Sequence, residues 1–153
     1  MPTFKSLKDL NKYLQNKLTD GLKTDVARNS IKLMQKHVQE DVYDAYTPYS
    51  TDGVTPHYER TGKLMDSSVA QMLDDNTLEV TNIRADQESG RHIVPVIEYG
   101  KGYEWGYTRN LDEEIGARPF ITKTRKELEE GKAKEFVKEA LEKRLGKGTV
   151  LDW

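Results

Sequence analysis

The three histidines could bind a metal ion, but their spacing argues against it. His37, His57 and His92 lie far apart along the chain. A zinc site usually takes two ligands four residues apart on a helix, or close together in a loop, with a third ligand nearby. The pair His57 and Glu59 is the one weak candidate. Cysteine is absent, which excludes thiolate ligands, disulfides and a thiol nucleophile. We therefore predict no metal site.

The other groups with catalytic potential also lack the partners that catalysis requires. Adjacent carboxylates such as Asp74-Asp75 are typical of solvated turns in a chain with 33% charged residues. Ser67-Ser68 has no histidine at a recognisable spacing, so a serine triad is unsupported. The two Gly-Lys-Gly triplets do not have the spacing of a phosphate-binding loop. We predict that the protein has no cofactor and is not an enzyme.

Composition limits the class of partner. The chain has 153 residues, with 35% hydrophobic residues and a net charge of −2. Duplex DNA binders usually carry a basic excess, because phosphate contacts dominate their affinity. We therefore predict no sequence-specific nucleic-acid binding. The longest apolar run, residues 93–97, is too short to cross a bilayer, so no membrane association is expected.

An aromatic cluster is the most distinctive local feature. Tyr99, Tyr103, Trp105 and Tyr107 lie in or beside a glycine-rich loop over residues 100–116. Tyr and Trp are enriched in interface cores, which favours an interaction surface. Capping of a small sheet and stacking on nucleic-acid bases remain the alternatives.

The N-terminal third is predicted to be helical over residues 6–46. Ser6 and Asp9 form a weak capping signal, and Asp20-Gly21 predicts a break or kink. The residue before Pro48 resists the helical conformation, which ends the segment. An apolar stripe at three- and four-residue steps follows the glycine, and comprises Leu22, Val26, Ala27, Ile31, Met34, Val38, Val42 and Ala45.

The rest of the chain predicts a small sheet followed by one long helix. Residues 47–116 hold a loop, a short helical piece after residues 60–64, and a hairpin over residues 69–73 and 77–82. Residues 92–99 fit either a third strand or a short helix. A continuous helix over residues 119–145 is capped by Gly146, and residues 146–153 form a tail. The prediction is a single α+β domain, residues 1–153, in which a long N-terminal helix and a C-terminal helix pack on a small antiparallel β-sheet.

Three short signatures follow the first long helix in order. They are Arg60-Thr61-Gly62-x-Leu64 with Ser67-Ser68 behind it, then Ile97-Glu98-Tyr99-Gly100, and last Ala117-Arg118-Pro119-Phe120. Their order and spacing resemble the small neck proteins of long-tailed bacteriophages and prophages, called head–tail joining, tail-completion or minor tail proteins. The resemblance covers residues 26–145. Lys101 stands where the family commonly has Thr, and Thr122-Lys123-Thr124 replaces a frequent Pro-Ala pair.

The resemblance implies a structural virion protein. It would form a ring, six-fold in one arrangement, that joins the head to the tail or completes the tail end. Its partners would be other copies of itself and neighbouring neck and tail proteins, with only passive contact with exiting DNA. The protein would be assembled in the bacterial cytoplasm and reside in the neck or tail of the virion. A tail terminator that caps the tail tube and a non-viral adaptor are the alternative functions.

The signature residues and the aromatic loop are therefore the candidate structural or interface residues. The two loops over residues 48–58 and 100–116 are expected to dock onto neighbours. We also predict a charge-assisted hydrogen bond from Arg60 to Glu98 or to a carbonyl group. The candidates are Arg60, Thr61, Gly62, Leu64, Glu98, Tyr99, Gly100, Tyr103, Trp105, Arg118, Pro119 and Phe120.

Overall fold

A computed structural model describes residues 2–45, 61–86, 89–101 and 116–150 of the chain. The helices are α1 (Leu7–Gly21), α2 (Ala27–His37), α3 (Lys63–Asp66), α4 (Val94–Tyr99), α5 (Phe120–Glu127) and α6 (Ala133–Leu145). The strands are β1 (Ser68–Asp74) and β2 (Thr77–Asn82), which form a two-stranded antiparallel sheet. The predicted α+β class is confirmed. None of the helices in these ranges is long and apolar enough to cross a membrane.

The N-terminal helix begins as the sequence predicts. The Ser6 hydroxyl accepts a hydrogen bond from the Asp9 N–H at 3.2 Å and donates to the Asp9 carboxylate at 2.8 Å. This is a local capping arrangement that satisfies an otherwise unpaired N–H of the first turn. Helical winding then continues to Tyr43 through two π-helical turns, Leu22–Val26 and Val38–Tyr43.

Of the break or kink predicted at Asp20-Gly21, the break is wrong. Gly21 has helical dihedral angles, φ −61° and ψ −46°, and the winding only widens to a π turn after it. The glycine instead allows a close helix–helix approach. A Cβ atom on Gly21 would lie 3.3 Å from the Cβ of Ala140 on α6. Glycine therefore serves packing at this position and does not end the helix.

The chain divides into two compact units. The first comprises Met1–Ser30, Ala70–Val80 and Glu127–Trp153. In it, α1 and the following π turn pack against α6. Leu22, Val26 and Ala140 form its buried centre, and the partly buried apolar residues around that centre are Leu18, Met72, Leu78, Phe136 and Val137.

The second unit comprises Ile31–Val69 and Thr81–Lys126. Its buried apolar residues are Leu33, Met34, Val38, Val42, Leu64 and Phe120. Thr124 is buried with them, and its hydroxyl donates to the Phe120 carbonyl at 2.7 Å. Most of the predicted apolar stripe is thus buried in one unit or the other, but Ala45 at its end is exposed.

The predicted hairpin is confirmed, and its turn is held by Asp74. The Asp74 carboxylate accepts hydrogen bonds from the Asn76 N–H and the Thr77 hydroxyl, both at 2.8 Å. These bonds hold the pKa of Asp74 below its usual range. The segment that fitted either a strand or a helix is the helix α4, with Pro95 in its first turn, where the missing N–H costs nothing.

The predicted continuous C-terminal helix is wrong in its middle. Helices α5 and α6 are separated by a π-helical turn, Leu128–Lys132, in which Gly131 has φ 134° and ψ −14°. Only glycine adopts such a dihedral pair readily, so the helical path breaks there. The predicted cap is confirmed at the other end, where the Gly146 N–H donates to the Glu142 carbonyl at 2.8 Å.

Candidate functional site

The second and third signatures meet at the start of α5. Glu98 lies near the end of α4 and is only 6% exposed. Its carboxylate accepts hydrogen bonds from the N–H groups of Ile121 and Thr122, both at 2.9 Å, and from the Thr122 hydroxyl at 2.5 Å. The first N–H groups of a helix have no partner within the helix and carry partial positive charge. Glu98 therefore caps α5 from a distant position in the sequence.

The backbone joins the same two signatures a second time. The Arg118 N–H donates to the Ile97 carbonyl at 2.9 Å. Gly100 ends α4 with φ +66°, and a Cβ atom there would lie 2.2 Å from the Ala117 nitrogen. No other residue fits at this crossing. Phe120 is fully buried immediately after it. Residues 97–100 and 117–122 are thus joined by side-chain and backbone hydrogen bonds, and we call this arrangement the Glu98 junction.

Tyr99 points out of the Glu98 junction. It is 68% exposed, although its two sequence neighbours Glu98 and Gly100 are buried. A surface concavity of about 540 Å³ adjoins the ring. An exposed aromatic on a fixed backbone can bind another protein at little cost in conformational entropy. The concavity is lined by Arg91, His92, Pro95, Val96, Tyr99 and Lys101.

The first signature fixes the entry to the sheet. Gly62 has φ +72° and is the N-cap residue directly before α3, and Leu64 of that helix is buried. The Leu64 carbonyl accepts from the Asn82 side-chain N–H at 2.6 Å, and the Ser68 hydroxyl accepts from the same amide at 3.2 Å. Thr61 is exposed beside this cluster. Gly62 and Leu64 of the first signature thus contribute to the backbone turn and the packing at this entry, and none of the contacts above connects them to the Glu98 junction.

Several predicted site residues lie outside the described ranges. They are Arg60, Tyr103, Trp105 and Tyr107, together with most of the two glycine-rich loops. The pairing of Arg60 with Glu98 therefore stays a prediction. Of the remaining predicted residues, Arg118 and Pro119 are half-buried at the start of the third signature.

Comparison with known families covers most of the chain, including the Glu98 junction. The sequence pattern of the YomN family matches residues 6–147. The chain belongs to the YomN family. A similar protein is the SPbeta prophage-derived uncharacterized protein YomN of Bacillus subtilis strain 168. It is 30% identical over 144 residues, which cover 90% of this chain and 93% of the relative. No solved structure matches the chain significantly.

The YomN-family chain also contains an ion cluster that sequence reasoning missed. Asp25 is buried, and its carboxylate accepts from Arg144 at 2.6 Å, Lys143 at 3.0 Å and Arg28 at 2.6 Å. The hydrogen bond from Arg144, with that from Lys143, lowers the pKa of Asp25 to about 2. The signal in the sequence is an aspartate directly beside the buried Val26 of the apolar stripe.

A second charged group surrounds the buried His37. The Nδ1 atom of His37 lies 2.8 Å from the carboxylate of Asp41, which also pairs with Lys123. Burial acts to raise the pKa of Asp41, but the hydrogen bonds from Lys123 and His37 outweigh it and keep the pKa below its usual range. Among the described residues of this YomN-family chain, no three histidine or acidic side chains are grouped to hold a metal ion.

Proposed function

We propose that this YomN-family chain is a structural protein of the neck of a prophage particle. It joins the head to the tail or completes the tail end, as part of a ring. The prophage association is supported by the family and by the SPbeta-derived relative. The neck role rests on the order of the three signatures and on the structural use of their residues.

The observation that carries this proposal is the exposure of Tyr99 on the Glu98 junction. Glu98 and Gly100 hold the backbone on either side of Tyr99, while its ring remains 68% exposed. A neck protein works by fitting neighbours above, below and beside it. A large aromatic held on a rigid backbone is suited to that task, since aromatic anchors carry much of the energy of protein interfaces.

This role needs neither catalysis nor a cofactor. The partners are other copies of the chain and adjacent neck and tail proteins, and contact with DNA is limited to its passage through the ring. We propose that the protein is assembled in the bacterial cytoplasm and remains in the virion neck.

The docking role of Tyr99 can be tested by a Tyr99→Ser substitution in the prophage. Because the aromatic ring of Tyr99 is exposed, its loss should leave the melting temperature of the protein unchanged. We expect at least a tenfold loss of infectious particles, with filled heads and separate tails in electron micrographs. Leu7→Ser is the matched control, since Leu7 is 80% exposed on α1. A normal yield of joined particles from the Tyr99→Ser prophage would refute this role.

A further inference from the structure

Strand β1 has an unpaired outer edge in the described part of the chain. The sheet there consists of β1 and β2 alone, so each strand has a partner on one side only. An unpaired edge presents backbone N–H and C=O groups that can pair with another strand. A sheet of two strands is also marginally stable unless other elements or further strands support it.

The sequence of β1 lacks the residues that usually protect an edge strand from pairing. Edge strands commonly carry lysine or proline, which hinder the approach of another strand. Strand β1 reads SVAQMLD and has neither, and its single charge is Asp74 at the end. The whole chain is 33% charged, so this uncharged run is unusual for it. Leu73 is 60% exposed on this strand.

The contacts of the hairpin identify which residues face the open edge. The Ile83 N–H donates to the Ser67 carbonyl at 3.0 Å, and the Gln71 side chain donates to Glu79 at 2.6 Å. The Ser67 carbonyl, just before β1, therefore points towards β2, whereas the Ser67 N–H donates to the Lys63 carbonyl. Alternate residues of an antiparallel strand direct their N–H and C=O groups to opposite sides, so Ala70 and Met72 direct theirs to the open edge.

We propose that the open edge of β1 binds the same edge of a second copy of this chain. The two β1 strands run antiparallel about a twofold axis at Gln71, so that Ala70 of each copy pairs with Met72 of the other. Leu73 then lies opposite Val69 of the second copy, on the face that carries Gln71, and loses much of its exposure.

Charge favours this partner over a β2 strand of the next copy. The hairpin turn carries Asp74 and Asp75. Twofold pairing of β1 places the two acidic turns at opposite ends of the joined sheet. Pairing of β1 with β2 of another copy would place two such turns side by side, which is unfavourable. The result is a homodimer with a four-stranded sheet. This homodimer is a property of the free protein, and the proposal does not rest on the neck role.

Cross-linking tests the register, because the natural chain has no cysteine. A Gln71→Cys substitution places two sulfurs across the twofold axis, in a non-hydrogen-bonded pair with Cα atoms about 4.5 Å apart. That distance lies within the disulfide range of about 4.4–6.8 Å. With oxidised glutathione we expect most of the protein to migrate as a dimer on a non-reducing gel. Leu7→Cys, on the exposed part of α1, is the control and should remain mostly monomeric.

Association in solution is tested by light scattering with size-exclusion chromatography. The unmodified chain should be a dimer, and Leu73→Lys should raise the dimer dissociation constant on the order of 100-fold, since each interface loses two apolar contacts and gains two charges. Leu7→Lys makes the same chemical change elsewhere and should have no effect. A monomeric unmodified chain would overturn the inference. So would a larger oligomer in which Gln71→Cys forms no disulfide between copies.

Discussion

At the scale of single residues, the buried carboxylate of Glu98 fixes the backbone at the start of α5. Glu98 is a buried carboxylate in a signature, which is a common property of catalytic acids. Both of its oxygens accept hydrogen bonds from the first turn of α5. The carboxylate is thus committed to capping a helix. The signature residue next to it, Tyr99, is exposed instead.

Asp25 shows how a buried charge couples stability to pH. Its pKa falls from an ordinary value of 3.8 to about 2 in the folded chain, chiefly through Arg144. A group with a lowered folded-state pKa stabilises the fold at pH values above its ordinary pKa. That contribution is lost as the pH falls from about 4 to about 2. Acid should therefore weaken the first unit through this carboxylate.

We predict that Asp25→Asn removes this pH-dependent contribution. At pH 7 the variant should be less stable by about 3 kcal/mol, because Arg144 loses a buried counter-charge. Between pH 4 and pH 2 its melting temperature should fall less than that of the unmodified protein. Asp75→Asn, at the exposed hairpin turn, is the control and should follow the unmodified curve. Parallel curves for Asp25→Asn and the unmodified protein would contradict this assignment.

At the scale of elements, the crossing of two backbones at Gly100 positions α4 against the start of α5. A side chain at Gly100 would meet the Gly116–Ala117 backbone at 2.2–2.3 Å. Backbone atoms cannot move aside as a flexible side chain can. Gly90 offers a comparison, since its φ of +68° is similar but nothing lies within 4 Å of a Cβ atom there.

We predict that Gly100→Ala destabilises the second unit by about 3 kcal/mol or more, or prevents its folding. The positive φ alone costs about 1–2 kcal/mol, and the overlap adds to it. Gly90→Ala carries only the first cost and should lose about 1 kcal/mol. Urea denaturation of both variants measures the difference. Equal losses would show that the two backbones do not cross closely at Gly100.

The sequence predicts the elements that depend on local patterns. Alternating residues and an acidic turn identify the hairpin, and Ser6 with Asp9 identifies the first cap. The sequence does not predict the break at Gly131, because strong helix formers surround that glycine and the apolar spacing continues beyond it. At Gly21 the sequence predicts a break that does not exist, because that glycine allows close packing against Ala140 within a continuing helix. A lone glycine in the sequence does not show whether it breaks a helix or allows close helix packing.

The sequence predicts only part of the candidate site, because it shows the signatures but not the contacts between them. Glu98 precedes Ile121 by 23 residues, and no local pattern shows that one caps the helix of the other. The same limit applies to Asp25 and Arg144, which lie 119 residues apart. Such pairings form only when distant segments pack together, and no local sequence pattern shows which segments do so.

At the scale of the whole molecule, the chain has two compact units, each with its own buried apolar residues. All three signatures begin and end within the second unit, Ile31–Val69 and Thr81–Lys126. The first unit instead carries the ion cluster around Asp25 and most of strand β1. We infer that the second unit carries the docking function and that the open edge of β1 serves association between copies.

The most direct test of the neck role is electron microscopy of lysates from a strain whose prophage lacks this gene. We predict filled heads lying apart from finished tails, and restoration of joined particles when the gene is supplied from a plasmid. Abnormally long tails would indicate a tail terminator. Normal, infectious particles from the deletion strain would contradict the neck role altogether.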